Sequence, residues 1–272
     1  MGRSKSSNAI GFPPPYLGDQ PLRLEVLAET DDWIALDKPA GVAIRQHPWN
    51  AGVPDMDSAL NAQLASGKPE LLRRNASAFG SVYYLDPEAS GVALFGKTRE
   101  AVGTLRNCFG SQEMHFVFYC IAGAADGGEC ELLCEAPLLP HRVKPKMIPS
   151  SAKGKKAWTR FTLVGEGASG LCLWRAECDF LRPHQIRAHA ATLGFPLLGD
   201  ALYGGGSAPS LRDLKPKQRG PGLAGSAFEG LALHLALLEP VDGDCLRAQV
   251  PSSLGVFLRL LGLEPELAGG GK

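Results

Sequence analysis

The sequence predicts an α+β fold, and three observations carry that prediction. Apolar runs of strand length recur along most of the chain, while helical periodicity is confined to a few separate stretches. Glycine and proline supply 33 and 21 of the 272 residues, which implies many turns between short elements. Hydrophobic residues make up 44% and charged residues 21%, a composition that can bury a core and argues against disorder.

The elements follow in order. Residues 1–20, rich in Ser, Gly and Pro, read as a flexible N-terminal tail, and 266–272 as a C-terminal tail, leaving 21–265 as a single domain. Residues 24–36 hold two strand-like runs, closed by a forced turn at Asp37, Lys38, Pro39, Ala40 and Gly41. Residues 57–64 suit a short helix with Leu60 and Leu64 on one face. Strands are predicted at 82–85 and 92–95, with Asp86 and Pro87 as the break between them. Thr98 caps a helix from about Arg99, whose apolar face is Val102, Leu105 and Phe109. Residues 114–122 are almost wholly apolar, as a strand buried on both faces requires. Residues 157–164 and 171–180 alternate like a hairpin around Gly165, Glu166 and Gly167. A helix spans 184–193, with Pro183 as its first helical residue and Gly194 as its stop. The Gly/Pro-rich stretch 204–230 reads as a mobile loop. Strands at 231–238 and 246–250 precede a last helix carrying Leu254, Phe257, Leu258 and Leu261.

Charge and cysteine usage narrow the function classes. Lys+Arg and Asp+Glu both number 28, which excludes a uniformly basic nucleic-acid coat but not a local basic patch. Seven cysteines without a CxxC pair suit reduced thiols in a cytoplasmic protein. No uncharged apolar run approaches the roughly 18 residues that span a bilayer, so no membrane role is expected. The six histidines are scattered without HExxH or HxH spacing, so a metal-dependent hydrolase is disfavoured.

Four segments could carry chemistry. Asp86 follows Tyr83, Tyr84 and Leu85 and precedes a turn, where an Asx turn would explain it as well as catalysis. On the 184–193 helix, His184, Arg187 and Ala191 share one face while Ile186, Ala190 and Leu193 share the core face. An ordinary solvated face would account for Arg187, and a structural hydrogen bond for His184. Gly199 to Gly204 reads as a turn with a buried tyrosine. Between 142 and 160 lie Arg142, Lys144, Lys146, Lys153, Lys155, Lys156 and Arg160 without an acid, suited either to solubility or to phosphate contact.

Order and spacing make the segments informative together. The chain resembles the RluA-type pseudouridine synthases from about Leu24 to Val250. The turn at 37–41 is similar to that family's NKPAG segment, residues 84–91 to HRLDxxTSG, and 154–159 to GKxAxT. Residues 182–189 are similar to RTHQIRxH, 197–204 to ILGDxxYG, and Leu233 with His234 to the late LHA strand. The resemblance implies a pseudouridine synthase-like catalytic domain: a mixed, mostly antiparallel sheet with flanking helices and loops. It implies isomerisation of uridine to pseudouridine in structured rRNA or tRNA, by a cytoplasmic monomer with no cofactor, metal, membrane or protein partner. Asp86 would be the essential carboxylate and Arg187 its partner. Tyr84, Leu85, Arg182, His184, Gln185, Lys155 and Lys156 would bind substrate. The chain departs from the pattern at Tyr83, Tyr84 and Ala89, where the family has His, Arg and Thr. Ungapped alignment also sets His115 and Val117 against the family's Lys-x-Tyr, with Phe116, Phe118 or Tyr119 as possible replacements. These departures suggest altered substrate choice, or alternatively a catalytically impaired RNA-binding relative.

Overall fold

The computed structural model describes residues 8–264 apart from 51, 219, 221 and 240–244. Its elements are β1 (Ala9–Phe12), β2 (Leu22–Glu29), β3 (Trp33–Lys38), α1 (Met56–Ala65), α2 (Pro69–Leu72), β4 (Gly80–Ser81), β5 (Ser90–Gly96), α3 (Arg99–Gly110) and β6 (His115–Gly123). Then follow β7 (Glu131–Cys134), β8 (Leu138–Pro140), β9 (Met147–Pro149), β10 (Thr159–Glu166), β11 (Leu171–Cys178), α4 (Gln185–Thr192), α5 (Leu211–Leu214), β12 (Leu233–Glu239), β13 (Leu246–Arg247) and α6 (Ser252–Leu260). The protein is an α+β fold.

One sheet runs β1-β2-β3-β5-β12-β6-β11-β10-β7, with β4 added beside β5 and β13 beside β12. Its pairings are antiparallel except β12 with β5, which is parallel and sets His234 opposite Ser90 and Leu235 opposite Gly91. That close approach requires glycine. Gly91 has φ 124°, and a Cβ there would meet the Leu235 carbonyl oxygen at 2.1 Å. β8 and β9 form a separate two-stranded hairpin.

Strand β6 shows why its sequence lacks alternation. Phe116, Phe118, Cys120 and Ala122 enter the main core with Phe95, Trp174 and Ile186. Val117, Tyr119 and Ile121 enter a second core against Leu254, Phe257 and Leu258 of α6. With both faces covered, apolar residues are required at every position.

Several sequence expectations change. The N-terminal stretch is not wholly a tail, because Ala9–Phe12 pairs with β2 and buries Ile10 and Phe12. Residues 1–7 and 265–272 lie outside the described residues. The strand expected at 82–85 is absent: ladder pairing ends at Ser81, and the Val82 N–H makes a last bond to the Leu94 carbonyl at 3.0 Å. Beyond it the chain leaves the sheet to bury Tyr83, whose hydroxyl donates to the Val92 carbonyl at 2.7 Å. The first hairpin strand begins and ends later than expected, at Thr159–Glu166, and the second ends earlier, at Leu171–Cys178. Pro183 is not helical. His184, left-handed at φ 53°, caps α4, which begins at Gln185. Residues 204–230 include α5, closed by a capping box between Ser210 and Asp213. The strand expected at 246–250 is only two residues long.

Candidate active site

The Asp86 turn is built around a buried lysine. Lys38 is 0% exposed, and its Nζ donates to the carbonyls of Pro39 and Pro87, both at 3.0 Å, and of Ala89. These three acceptors match the three N–H bonds of an ammonium. Burial pulls the Lys38 pKa down to about 7, opposed by the fields of Asp86 and Glu88. Gly41 adds an N–H to the Pro87 carbonyl at 2.7 Å, and Ala89 closes the turn onto the Asp86 carbonyl at 3.1 Å. The turn at 37–41 therefore acts as the cradle for residues 86–89.

The other wall of the site is the start of α4. Asp86 is 6% exposed, and its Oδ1 accepts the His184 N–H at 3.0 Å. The left-handed backbone at His184 aims that N–H, a local cost characteristic of functional sites. The position also favours an anion, since unsatisfied N–H groups converge at a helix start. Arg187 Nη1 lies 3.4 Å from both Asp86 Oδ2 and Glu88 Oε2. Its stronger contact is with Asp200, which accepts from Nε at 2.7 Å and from Nη2 at 2.8 Å. This fork geometry fixes the guanidinium plane. Despite burial, the Asp200 hydrogen bonds and the surrounding carboxylates drive the Arg187 pKa up, so the guanidinium stays charged. Asp200 is delivered by Gly199, at φ 80°, where a Cβ would meet the Gly230 carbonyl at 1.8 Å.

Behind this pair sits an aromatic support. His184 Nδ1 lies 3.1 Å from Tyr203 Oη, and its ring is 4.9 Å from that of Trp49. Tyr203 Oη in turn accepts the Met147 N–H at 2.8 Å, and Arg187 Cζ sits 5.3 Å over the Tyr203 ring. Burial lowers the His184 pKa, so the imidazole is neutral at physiological pH.

In front of Asp86 is a small cavity lined by Tyr84, Leu85, Asp86, Phe118, Leu181, Arg182, Gln185, Ile186 and Leu233. Of the residues expected to bind substrate, Tyr84, Leu85, Arg182 and Gln185 thus converge here. Gln185 is internally engaged at both ends: its Oε1 accepts the Arg182 N–H at 2.9 Å and its Nε2 donates to the Trp158 carbonyl at 2.9 Å. Lys156 lies outside this cavity, in a neighbouring cleft with Trp158, Phe180 and Arg182. Lys155 is exposed, and its backbone bridges to Leu138. The ungapped placement of Val117 at the site does not hold: Val117 faces the α6 core, and Phe118 faces Asp86. His115 is occupied by Asp179 at 2.8 Å and Glu177 at 3.1 Å.

Residue reading missed Asp200, Lys38 and Glu88 as site residues, while Phe118, one of the three replacements considered for the family's strand tyrosine, is the one that lines the cavity. The signals for the first two were present in the GDxxYG-like and NKPAG-like segments, but neither segment alone distinguishes a buried ion from a turn. Among the described residues no cluster of three or more His, Cys, Asp or Glu is placed to hold a metal ion. No helix among them is long and apolar enough to cross a membrane.

Comparisons with known proteins bear on the fold and the family. The chain is 32% identical over 246 residues to ribosomal large subunit pseudouridine synthase D of Xanthomonas campestris, covering 87% of this chain and 68% of that protein. It is 27% identical over 251 residues to an uncharacterized RNA pseudouridine synthase of Synechocystis, covering 88% and 70%. Human RNA pseudouridylate synthase domain containing 4 has a similar fold, with a TM-score of 0.65 at 17% identity over 88% of this chain and 93% of that one. The model of the RNA pseudouridylate synthase family matches residues 32–192, and the chain belongs to that family of isomerases.

Proposed function

We propose that this chain converts uridine to pseudouridine in structured RNA, ribosomal RNA first, with Asp86 as the essential carboxylate. The observation supporting this most directly is Asp86 itself: a buried carboxylate, held by the His184 N–H and Arg187 at the edge of an apolar cavity. The names of the curated relatives that act on the large ribosomal subunit favour ribosomal RNA over transfer RNA.

The reaction is a rearrangement. The C1′–N1 bond of uridine breaks, the uracil turns, a C1′–C5 bond forms, and the proton lost from C5 is matched by one gained at N1. No electrons enter or leave, so no redox partner is required. A carboxylate can serve as nucleophile at C1′ or as base at C2′. In either role Arg187 and the His184 N–H fix its direction, while Asp200 fixes Arg187. The target nucleotide must leave its stack to reach a carboxylate this buried, which costs a few kcal/mol or so. Phe118, Leu181, Ile186 and Leu233 offer the expelled base an apolar wall. Tyr84, Leu85, Arg182, His184 and Gln185 shape its surroundings, and the exposed Lys155 and Lys156 meet RNA phosphates.

The test is tritium release from [5-³H]uridine-labelled RNA taken from cells lacking this protein. Wild type should release tritium, and Asp86→Asn should lose turnover by about 1,000-fold or more with its fold intact. Equal release by both proteins would remove Asp86 from the chemistry. Salt-sensitive RNA binding with no release would favour the catalytically impaired reading.

A further inference from the structure

Among the described residues, five buried side-chain polar atoms lack a hydrogen-bond partner, and Tyr84 Oη is the one whose residue lines the Asp86 cavity. Tyr84 is only 8% exposed. A buried hydroxyl with no partner is uncommon and unfavourable, and one on a residue that lines a cavity points to a ligand. The other two tyrosines at the site differ. Tyr83 donates to the Val92 carbonyl, and Tyr203 is engaged by Met147 and His184.

Most of the other polar groups of the cavity already have protein partners. Asp86 is held by Arg187 and the His184 N–H, Gln185 is used at both ends of its amide, and Arg182 Nε donates to the Lys156 carbonyl at 3.3 Å. Phe118 supplies a flat face without a hydroxyl. Burial, and then the negative charges of Asp86 and Glu88, push the Tyr84 pKa up, so the phenol keeps its proton and acts as a donor.

We propose that Tyr84 Oη donates a hydrogen bond to a carbonyl oxygen of the target uracil, O2 or O4, and so orients the base beside Asp86 while Phe118 contacts its face. This deepens the proposed function and rests on it. Where the resembling family has an arginine, this chain would read the base through a neutral donor.

The experiment compares wild type with Tyr84→Phe, which removes one oxygen. Three versions of the same RNA are used: unmodified, containing 2-thiouridine, or containing 4-thiouridine. On the unmodified RNA the variant should lose roughly tenfold in kcat/KM, the worth of one hydrogen bond. The gap should shrink with one thio-RNA and persist with the other, because sulfur is the weaker acceptor and only one position is contacted. The melting temperature of Tyr84→Phe should equal or exceed that of wild type, since the lost hydroxyl had no partner in the protein. Equal kcat/KM for both proteins overturns the proposal. So does a loss of the same size on all three RNAs, whatever the melting temperature. If wild type turns over none of the RNAs, the synthase reading fails and this proposal falls with it. A working wild type beside an unchanged variant overturns the role of Tyr84 alone.

Discussion

Two groups of charges in this protein meet opposite fates. Around Asp86 the ions are matched, and all but Glu88 are buried: Arg187 bridges Asp86, Glu88 and Asp200, the side chains of Arg187 and Asp200 are almost inaccessible, and that of Glu88 is half exposed. Between 142 and 160, seven positive side chains stand on and beside the β8–β9 hairpin, six of them exposed and Lys146 half-buried. Among the described residues only Arg160 of the seven forms an ion pair, at 4.0 Å from Glu131. Buried charges must be paired because desolvation is expensive, and pairing fixes their geometry. Exposed charges without partners hold no geometry, but they can exchange counterions for a polyanion. The first arrangement suits chemistry, the second suits gripping RNA. The two groups meet at Tyr203, which bonds the β9 backbone at Met147 and faces His184.

The largest expected effect falls on the buried group. Arg187→Ala leaves the buried carboxylates of Asp86 and Asp200 without their shared cation and should cost about 3–5 kcal/mol in urea unfolding, besides abolishing turnover. Stability within about 0.5 kcal/mol of wild type would mean that the network is not coupled as its distances indicate. Next comes pH. His234 is fully buried, its Nδ1 is 2.9 Å from Ser90 Oγ, and burial pulls its pKa down from 6.5 to about 4. The folded state then binds fewer protons than the unfolded chain between those values. Stability should fall as pH drops from 6.5 toward 4, by on the order of 3 kcal/mol from this residue. Asp37 works in the opposite sense: burial raises its pKa to about 6, so its contribution is lost as pH rises from 3.8 through 6. Comparing wild type with His234→Gln across this window isolates the histidine, and identical slopes would show that it does not titrate there. The smallest effect belongs to the exposed group. Lys155→Ala with Lys156→Ala should leave stability within about 0.5 kcal/mol. RNA affinity should fall, and the slope of log K against log salt should flatten by about 1.5. An unchanged slope would place RNA elsewhere.

The sequence revealed more of the sheet than of its edges. β3, β5, β6, β11 and β12 were readable because each carries a buried apolar run. β7, β8 and β9 were missed because they are short and half exposed, as with Leu133. The strand assigned to 82–85 mistook aromatic residues buried in a loop for a ladder, since burial and strand pairing leave the same apolar signature. At the site, Asp86 and Arg187 were readable as a pair from motif order. Asp200, the firmer partner of Arg187, was not, because an aspartate after glycine fits a turn equally well. Pro183 suggested a helix start two residues too early, since nothing local announces that Asp86 will claim the His184 N–H from 98 residues away.

The parallel strand β12 has a consequence for the order in which the protein can be completed. The N-terminal strands β1, β2, β3 and β5 and the later strands β6, β11, β10 and β7 lie on opposite sides of it. β5 and β6 are separated by one helix in sequence, yet they do not pair with each other. A chain emerging from the ribosome therefore already holds Asp86, Arg187 and Asp200 while its sheet is still two unjoined pieces. The joint arrives with Leu233–Glu239, more than a hundred residues after β5, and long loop closure makes such contacts late. The sheet closes from the middle, and the turn that carries Asp86 is joined to the later strands when Ser90 meets His234.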